Sequence, residues 1–223
     1  TQRRRQRQMC IRDSFLGEFI ASCFLVMIIV GSGIMAENLT NDNAVRLLAN
    51  TIATGAGLFV LITAFANISG AHLNPFVSLS MYLTKRIKGK ELLTFIPAQI
   101  LGCLLGVMLA NVFFEHSIIE LSTKNRDGFH IFLSEIVATF GLIFIIFATL
   151  KDGKTTVAAC VATYISAGYW FTSSTSFANP AVAIARTFTD SFTGINYLNT
   201  PTYIFAELLG AIVAIYIIKR LIK

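Results

Sequence analysis

Apolar positions dominate this chain in six long blocks: Phe15–Ala36, Ala44–Ala66, Leu92–Phe114, His130–Leu150, Thr155–Phe171 and Tyr203–Ile218. Each is near the ~20 residues that a helix needs to cross a bilayer. Two shorter blocks, Asn74–Tyr82 and Asn179–Phe188, follow the second and the fifth. They are too short to cross, because about 10 residues of helix rise only ~15 Å. Each opens on Asn-Pro, and proline in a first helical turn behind a polar side chain marks a helix start. A helix that starts at membrane depth must line a cavity or be buried in protein.

The blocks repeat. Phe15-Leu16-Gly17-Glu18 with Ala21-Ser22 matches Phe132-Leu133-Ser134-Glu135 with Ala138-Thr139. Ala98-Gln99-Ile100-Leu101-Gly102 matches Ala206-Glu207-Leu208-Leu209-Gly210, and the Asn-Pro pair falls between in the same order. Three crossings per half invert the second half, so the repeat axis lies in the membrane plane. The repeats cover about 15–114 and 130–219 of a single channel-like domain at 15–223.

Composition agrees with an integral membrane protein. Hydrophobic residues make up 55% and charged residues 13%, against roughly 25% charged in soluble domains. The net charge of +6 comes largely from residues 1–14, where five arginines face Asp13 alone. Gln8–Ser14 reads like an in-frame sequencing adapter, so 1–14 is set aside as a non-native segment, and the native start is then missing. The alternative is a basic juxtamembrane tail that binds anionic lipid. The remainder holds thirteen basic and eleven acidic residues. Nine of the thirteen fall on one side of the membrane, at Lys85, Arg86, Lys88, Lys90, Lys151, Lys154, Lys219, Arg220 and Lys223. The excess of positive charge places that side, with both termini, in the cytoplasm. Cys23, Cys103 and Cys160 read as buried thiols, and no metal, cofactor or nucleic-acid partner is expected.

Half-helix N-termini present unpaired N–H groups and a partial positive charge. Two that meet head to head would repel cations and protons, with Asn74 and Asn179 offering amides to neutral molecules. On the motifs Ser69-Gly70-Ala71-His72-Leu73-Asn74-Pro75-Phe76 and Ser176-Phe177-Ala178-Asn179-Pro180-Ala181, the chain resembles the aquaporins of the major intrinsic protein family over residues 15–220. The resemblance implies an all-α membrane protein with an inverted repeat, six transmembrane helices plus two re-entrant half-helices. It also implies one pore per subunit, a homotetramer, and membrane lipid and small neutral solutes as partners. The first motif departs from the family pattern, with Phe76 where a small residue normally packs.

The same resemblance makes Glu18 and Glu135 acceptors for the re-entrant backbone rather than proton carriers. His72, Gln99 and Glu207 are matching polar supports. Gly102 with Gly106, and Ala206 with Gly210, have the spacing for close helix packing. The family's constriction, counted without gaps from each Asn, falls on Thr54, Ala167, Ser176 and Val182. All four are small and uncharged, which predicts a wide ring without the usual aromatic or arginine. Arg186, one turn beyond Val182, is a candidate substitute, provided it does not snorkel outward. Asn179–Asp190 is also similar to a bacterial aquaglyceroporin subgroup that accompanies arsenic-resistance genes, which points to a bacterial inner membrane and to arsenous acid among the solutes. The leading expectation is a passive channel for glycerol-type polyols, water and arsenous acid, and not an enzyme. Its rival is a proton-coupled secondary transporter using Glu18 or Glu135. An intramembrane hydrolase would need a nucleophile facing a base, and only His72 lies at a suitable depth.

Overall fold

The computed structural model describes residues 11–221. Residues 1–10 of the segment set aside, including Cys10, lie outside the described residues, as does Lys223. Residues 11–14 form the first turn of a helix, and Ser14 is buried.

Eight α-helices appear in chain order among the described residues: α1 (Ile11–Leu39), α2 (Asn43–Phe65), α3 (Pro75–Leu83), α4 (Gly89–Phe113), α5 (Phe129–Thr149), α6 (Lys154–Phe171), α7 (Pro180–Ala185) and α8 (Thr200–Leu221). Six are long, and α3 and α7 are the two half-helices. The second is shorter than its block predicts, because a 3₁₀ turn at Arg186–Phe188 replaces its last turn. No strand is present among the described residues. By length and composition, five helices suffice to cross a membrane. The sixth, α6, opens on Lys154-Thr155-Thr156 and carries Thr163, Ser166 and Gly168, so its mean hydropathy is lower. It packs beside α2 and α5 and holds in the second repeat the place that α2 holds in the first.

The repeat is also visible in the packing. Helix α1 lies along α4, and α5 along α8, as the two most extensive contacts in the molecule. Small residues permit both. A Cβ on Gly102 would sit 2.2 Å from the Phe19 carbonyl oxygen, and one on Gly106 2.3 Å from that of Cys23. One on Gly210 would sit 2.4 Å from the carbonyl of Ile136. Inside a bilayer the gain from such pairs is van der Waals contact rather than release of water. Large apolar side chains such as Phe24, Leu101, Phe205 and Tyr216 point outward instead, as a lipid-facing surface requires.

Gly102→Leu is therefore expected to drive α1 and α4 apart at a cost of about 1–3 kcal/mol or more. The check is the thermal unfolding midpoint of the purified protein, and an unchanged midpoint would refute the contact.

Candidate functional site

The half-helices start where the sequence places them. Asn74 and Asn179 are N-caps, each in extended conformation, and each is followed by its proline in the first turn. Asn74 Oδ1 accepts from the N–H groups of Phe76 and Val77 at 2.9 and 3.4 Å. Asn179 Oδ1 accepts from Ala181 and Val182 at 3.1 and 3.4 Å. The two amide nitrogens then cross over. Asn74 Nδ2 donates to the Ala178 carbonyl at 2.7 Å, and Asn179 Nδ2 donates to the Leu73 carbonyl at 2.8 Å. This reciprocal pair joins the two repeats. Since an amide nitrogen carries two hydrogens, each Asn keeps one N–H for a solute, at the point where the N-termini of both half-helices converge.

The loops leading into these caps are strained in the same way. Ala71 and Leu73 have φ of 53° and 51°, and their counterparts 105 residues on, Ser176 and Ala178, have 52° and 47°. Such left-handed conformations cost roughly 1–3 kcal/mol each for residues with a Cβ. Fully buried carboxylates hold them. Glu18 Oε1 accepts from Ser69 Oγ at 2.6 Å and His72 N at 2.9 Å, and its Oε2 accepts from Leu73 N at 2.8 Å and Gln99 Nε2 at 2.7 Å. Glu135 accepts from Phe177 N and Ala178 N at 2.9 and 2.8 Å. Glu207 Oε1 accepts from Asn179 N at 2.9 Å. The loop amides thus point away from the central cavity. Among the described residues, no hydrogen bond falls on the carbonyls of Gly70, Ala71, His72, Ser176 or Phe177. These acceptors remain for a passing solute.

The cavity between the halves is narrow, about 110 Å³. One wall is the polar strip of Gly70–Asn74 and Ser176–Asn179. The other is apolar, built by side chains one turn apart on four helices: Leu25 and Ile29 on α1, Leu58 and Ile62 on α2, Leu142 and Ile146 on α5, Val161 and Ile165 on α6. His72 lines the strip as well as bracing it, with Nδ1 3.0 Å from Ser78 Oγ and its ring edge-on to Phe95. Pro75, Pro180 and Ala181 are buried behind the wall. Phe76 packs against the core and does not line the cavity, so it leaves the meeting point unobstructed.

The outer ring differs from the gap-free count. Thr54, Ser176 and Val182 line the cavity, but Ala167 is exposed on the opposite face of α6. Tyr169 takes that place, 4% exposed, and its hydroxyl donates to Thr54 Oγ1 at 3.1 Å. The ring therefore contains an aromatic, which corrects the expectation of four small residues. The Ser176 hydroxyl is buried without a partner against Gly168. Arg186 lines the cavity at 3% exposure and does not snorkel. Its guanidinium carbon lies 3.4 Å from the centre of the Phe177 ring, and its Nε donates to the Thr193 carbonyl. Arg126, unnoticed in the sequence as a site residue, lies 5.4 Å from the same ring centre and donates to the Gly194 and Phe192 carbonyls. Lys124 stands beside it, its pKa lowered from the ordinary value by burial and then by the Arg126 charge. Three cations thus bring positive charge to one corner beside the outer end of the cavity.

Comparison with known proteins agrees with this geometry. The family described as Major intrinsic protein matches residues 5–171, a stretch that ends before the second Asn-Pro. Aquaglyceroporin AqpS of Rhizobium meliloti (strain 1021) is 45% identical over 208 residues, which cover 93% of this chain and 89% of that protein. Aquaporin-4 of Rattus norvegicus is 28% identical over 206 residues, 88% of this chain but 63% of its own length. Among solved structures, the aquaglyceroporin from Plasmodium falciparum superposes with a TM-score of 0.77 at 21% identity, covering 96% of this chain and 97% of that one.

Two variants test the ring and one tests the loop support. Tyr169→Ala is expected to raise glycerol flux severalfold in proteoliposomes, while Ala167→Phe leaves it unchanged. A fall in flux with Ala167→Phe alone would return that position to the ring. Glu18→Gln puts a donor where four donors converge, and a drop in stability of about 3 kcal/mol is expected, read as a lower unfolding midpoint.

Proposed function

This chain belongs to the major intrinsic protein family, and we propose that it conducts glycerol-type polyols, water and arsenous acid through the cavity between its half-helices. It is an integral membrane channel for small uncharged solutes and not an enzyme. The observation that carries the solute range is the cavity's division into one apolar wall and one strip of free carbonyls and amide N–H groups. A polyol has the same division, with carbons on one side and hydroxyls on the other. Neutral arsenous acid, with three hydroxyls and polyol size, suits the same strip. At the outer ring Val182 leaves a space that an arginine would fill, while Arg186, Tyr169 and Thr54 supply polar groups.

A proton-coupled transporter has no support. Coupling needs ionisable groups that exchange protons with the pathway, and Glu18 is fully buried with four donors on its two oxygens. The half-helix N-termini and the remaining Asn N–H groups hold a central water as hydrogen-bond acceptor, which interrupts proton relay. The resemblance to AqpS supports a bacterial inner membrane as the location. The lysine and arginine bias supports cytoplasmic termini, and the apolar outer surface is consistent with a homotetramer in lipid.

The reading is tested by stopped-flow light scattering on proteoliposomes under gradients of water, glycerol, urea and arsenous acid. Flux is expected to rise linearly with concentration and to ignore an imposed proton gradient. Saturation at low concentration would sink the channel reading. Val182→Arg is expected to suppress glycerol and arsenous acid before water. Arg186→Ala is expected to increase cation leak, measured by an ion-sensitive dye, and unchanged leak would remove Arg186 from the barrier.

A further inference from the structure

The two carboxylate shells match in their backbone donors and differ in their side-chain partners. In the first repeat Glu18 receives the Ser69 hydroxyl, the N–H groups of His72 and Leu73, and Gln99 Nε2. In the second, Glu135 receives the N–H groups of Phe177 and Ala178, one on each oxygen, while the Ser174 hydroxyl turns to Thr172 Oγ1. The fourth position, where Gln99 donates an amide N–H, is held by Glu207, which accepts from Asn179 N while Glu135 accepts from the preceding amide, Ala178 N, so that the two carboxyl groups flank consecutive N–H groups. Both carboxyl groups are fully buried. Glu207 Oε1 is occupied by Asn179 N, while its Oε2 has no partner as a bare carboxylate.

We propose that Glu207 is a neutral carboxylic acid that donates its proton to Glu135 and so does in the second repeat what the Gln99 amide does in the first. Two adjacent carboxylates in a water-free interior cannot both ionise, and they share a proton. The proton belongs on Glu207, because Glu135 has a backbone donor on each of its oxygens, whereas Glu207 has one donor and an empty oxygen. One hydrogen is enough there. Gln99 uses its second N–H on Ser78 Oγ at 2.9 Å, and the residue at the matching place after the second motif is Ala183, which has no acceptor. Glu207 is thus a positioning residue. Its carbonyl oxygen fixes the Asn179 N–H and its hydroxyl fixes Glu135, which together hold the cap of the second half-helix.

The test is infrared spectroscopy of the purified full-length protein with flux measured in parallel. The flux arm rests on the channel reading, and the spectral arm does not. The wild-type protein is expected to show the C=O stretch of a protonated carboxyl group, downshifted in D2O and absent in Glu207→Gln. Absence of that band from the wild type, or its persistence in Glu207→Gln, would overturn the proposal. Glu207→Ala is expected to lower glycerol flux about tenfold by leaving Asn179 N–H without an acceptor and removing the proton donor beside Glu135, and Glu207→Gln to restore it. Wild-type flux in the alanine variant, or a glutamine variant that fails to fold or to conduct, would also overturn it. A wild type that shows the band but conducts nothing would sink the channel reading and leave this assignment standing.

Discussion

An irregular backbone at membrane depth has no water to bond to, so each of its N–H groups must find an acceptor within the protein. That requirement governs the rest of this structure. The loops before Asn74 and Asn179 turn back at mid-membrane and cannot form helical hydrogen bonds. Their amides instead reach the carboxyl groups of Glu18 on α1, Glu135 on α5 and Glu207 on α8. Charged acceptors such as Glu18 and Glu135 suit this task, because hydrogen bonds to ionised groups are about twice as strong as neutral ones. Strong acceptors offset the left-handed strain at Ala71, Leu73, Ser176 and Ala178. The carboxylates are therefore structural, and their burial is a consequence of where the loops must go.

With the amides turned outward, the carbonyls are left on the side of the cavity, and the pore is polar along a single strip. The opposite wall consists of aliphatic side chains from four helices that have satisfied their own backbones. A solute that must leave its hydration shell finds acceptors on one side only. Ions find too few ligands, while a molecule with hydroxyls along one edge is accommodated. The crossed bonds from Asn74 to Ala178 and from Asn179 to Leu73 set the distance between the halves. They also hold the two remaining amide donors at the centre, so the same contacts that join the repeats place the groups that act on the solute.

Most of this architecture was legible in the chain, because helix length, proline position and repeated Asn-Pro signal directly what a membrane permits. Gly102, Gly106 and Gly210 gave the close helix pairs for the same reason. The outer ring was not legible by counting back from Asn179, since the connection between α6 and the second loop has no fixed length. Helical periodicity held the better signal. Val157, Val161 and Ile165 face the cavity at intervals of four, and the next step is Tyr169, not Ala167. The placing of Arg126 had no local signal. Its position depends on the segment between α4 and α5 folding over the outer mouth, where Ser122 N and Glu120 N bond to the carbonyls of Thr187 and Phe188.

The two halves are equivalent in backbone and unequal in chemistry, and the inequality is concentrated outside the motif. His72 in the first loop corresponds to Phe177 in the second. The imidazole faces the cavity and keeps a polar group on the inner side. The phenyl ring instead carries Arg186 on its face, with Arg126 nearby and Tyr203 packed 4.8 Å away. An arginine four residues beyond Val182 could not be held at the cavity by capping or by the half-helix alone, since α7 ends at Ala185. The aromatic face and the Thr193 carbonyl fix it there. The ring that stands where the first loop has an imidazole is thus the platform that holds a positive charge at the outer end of the cavity.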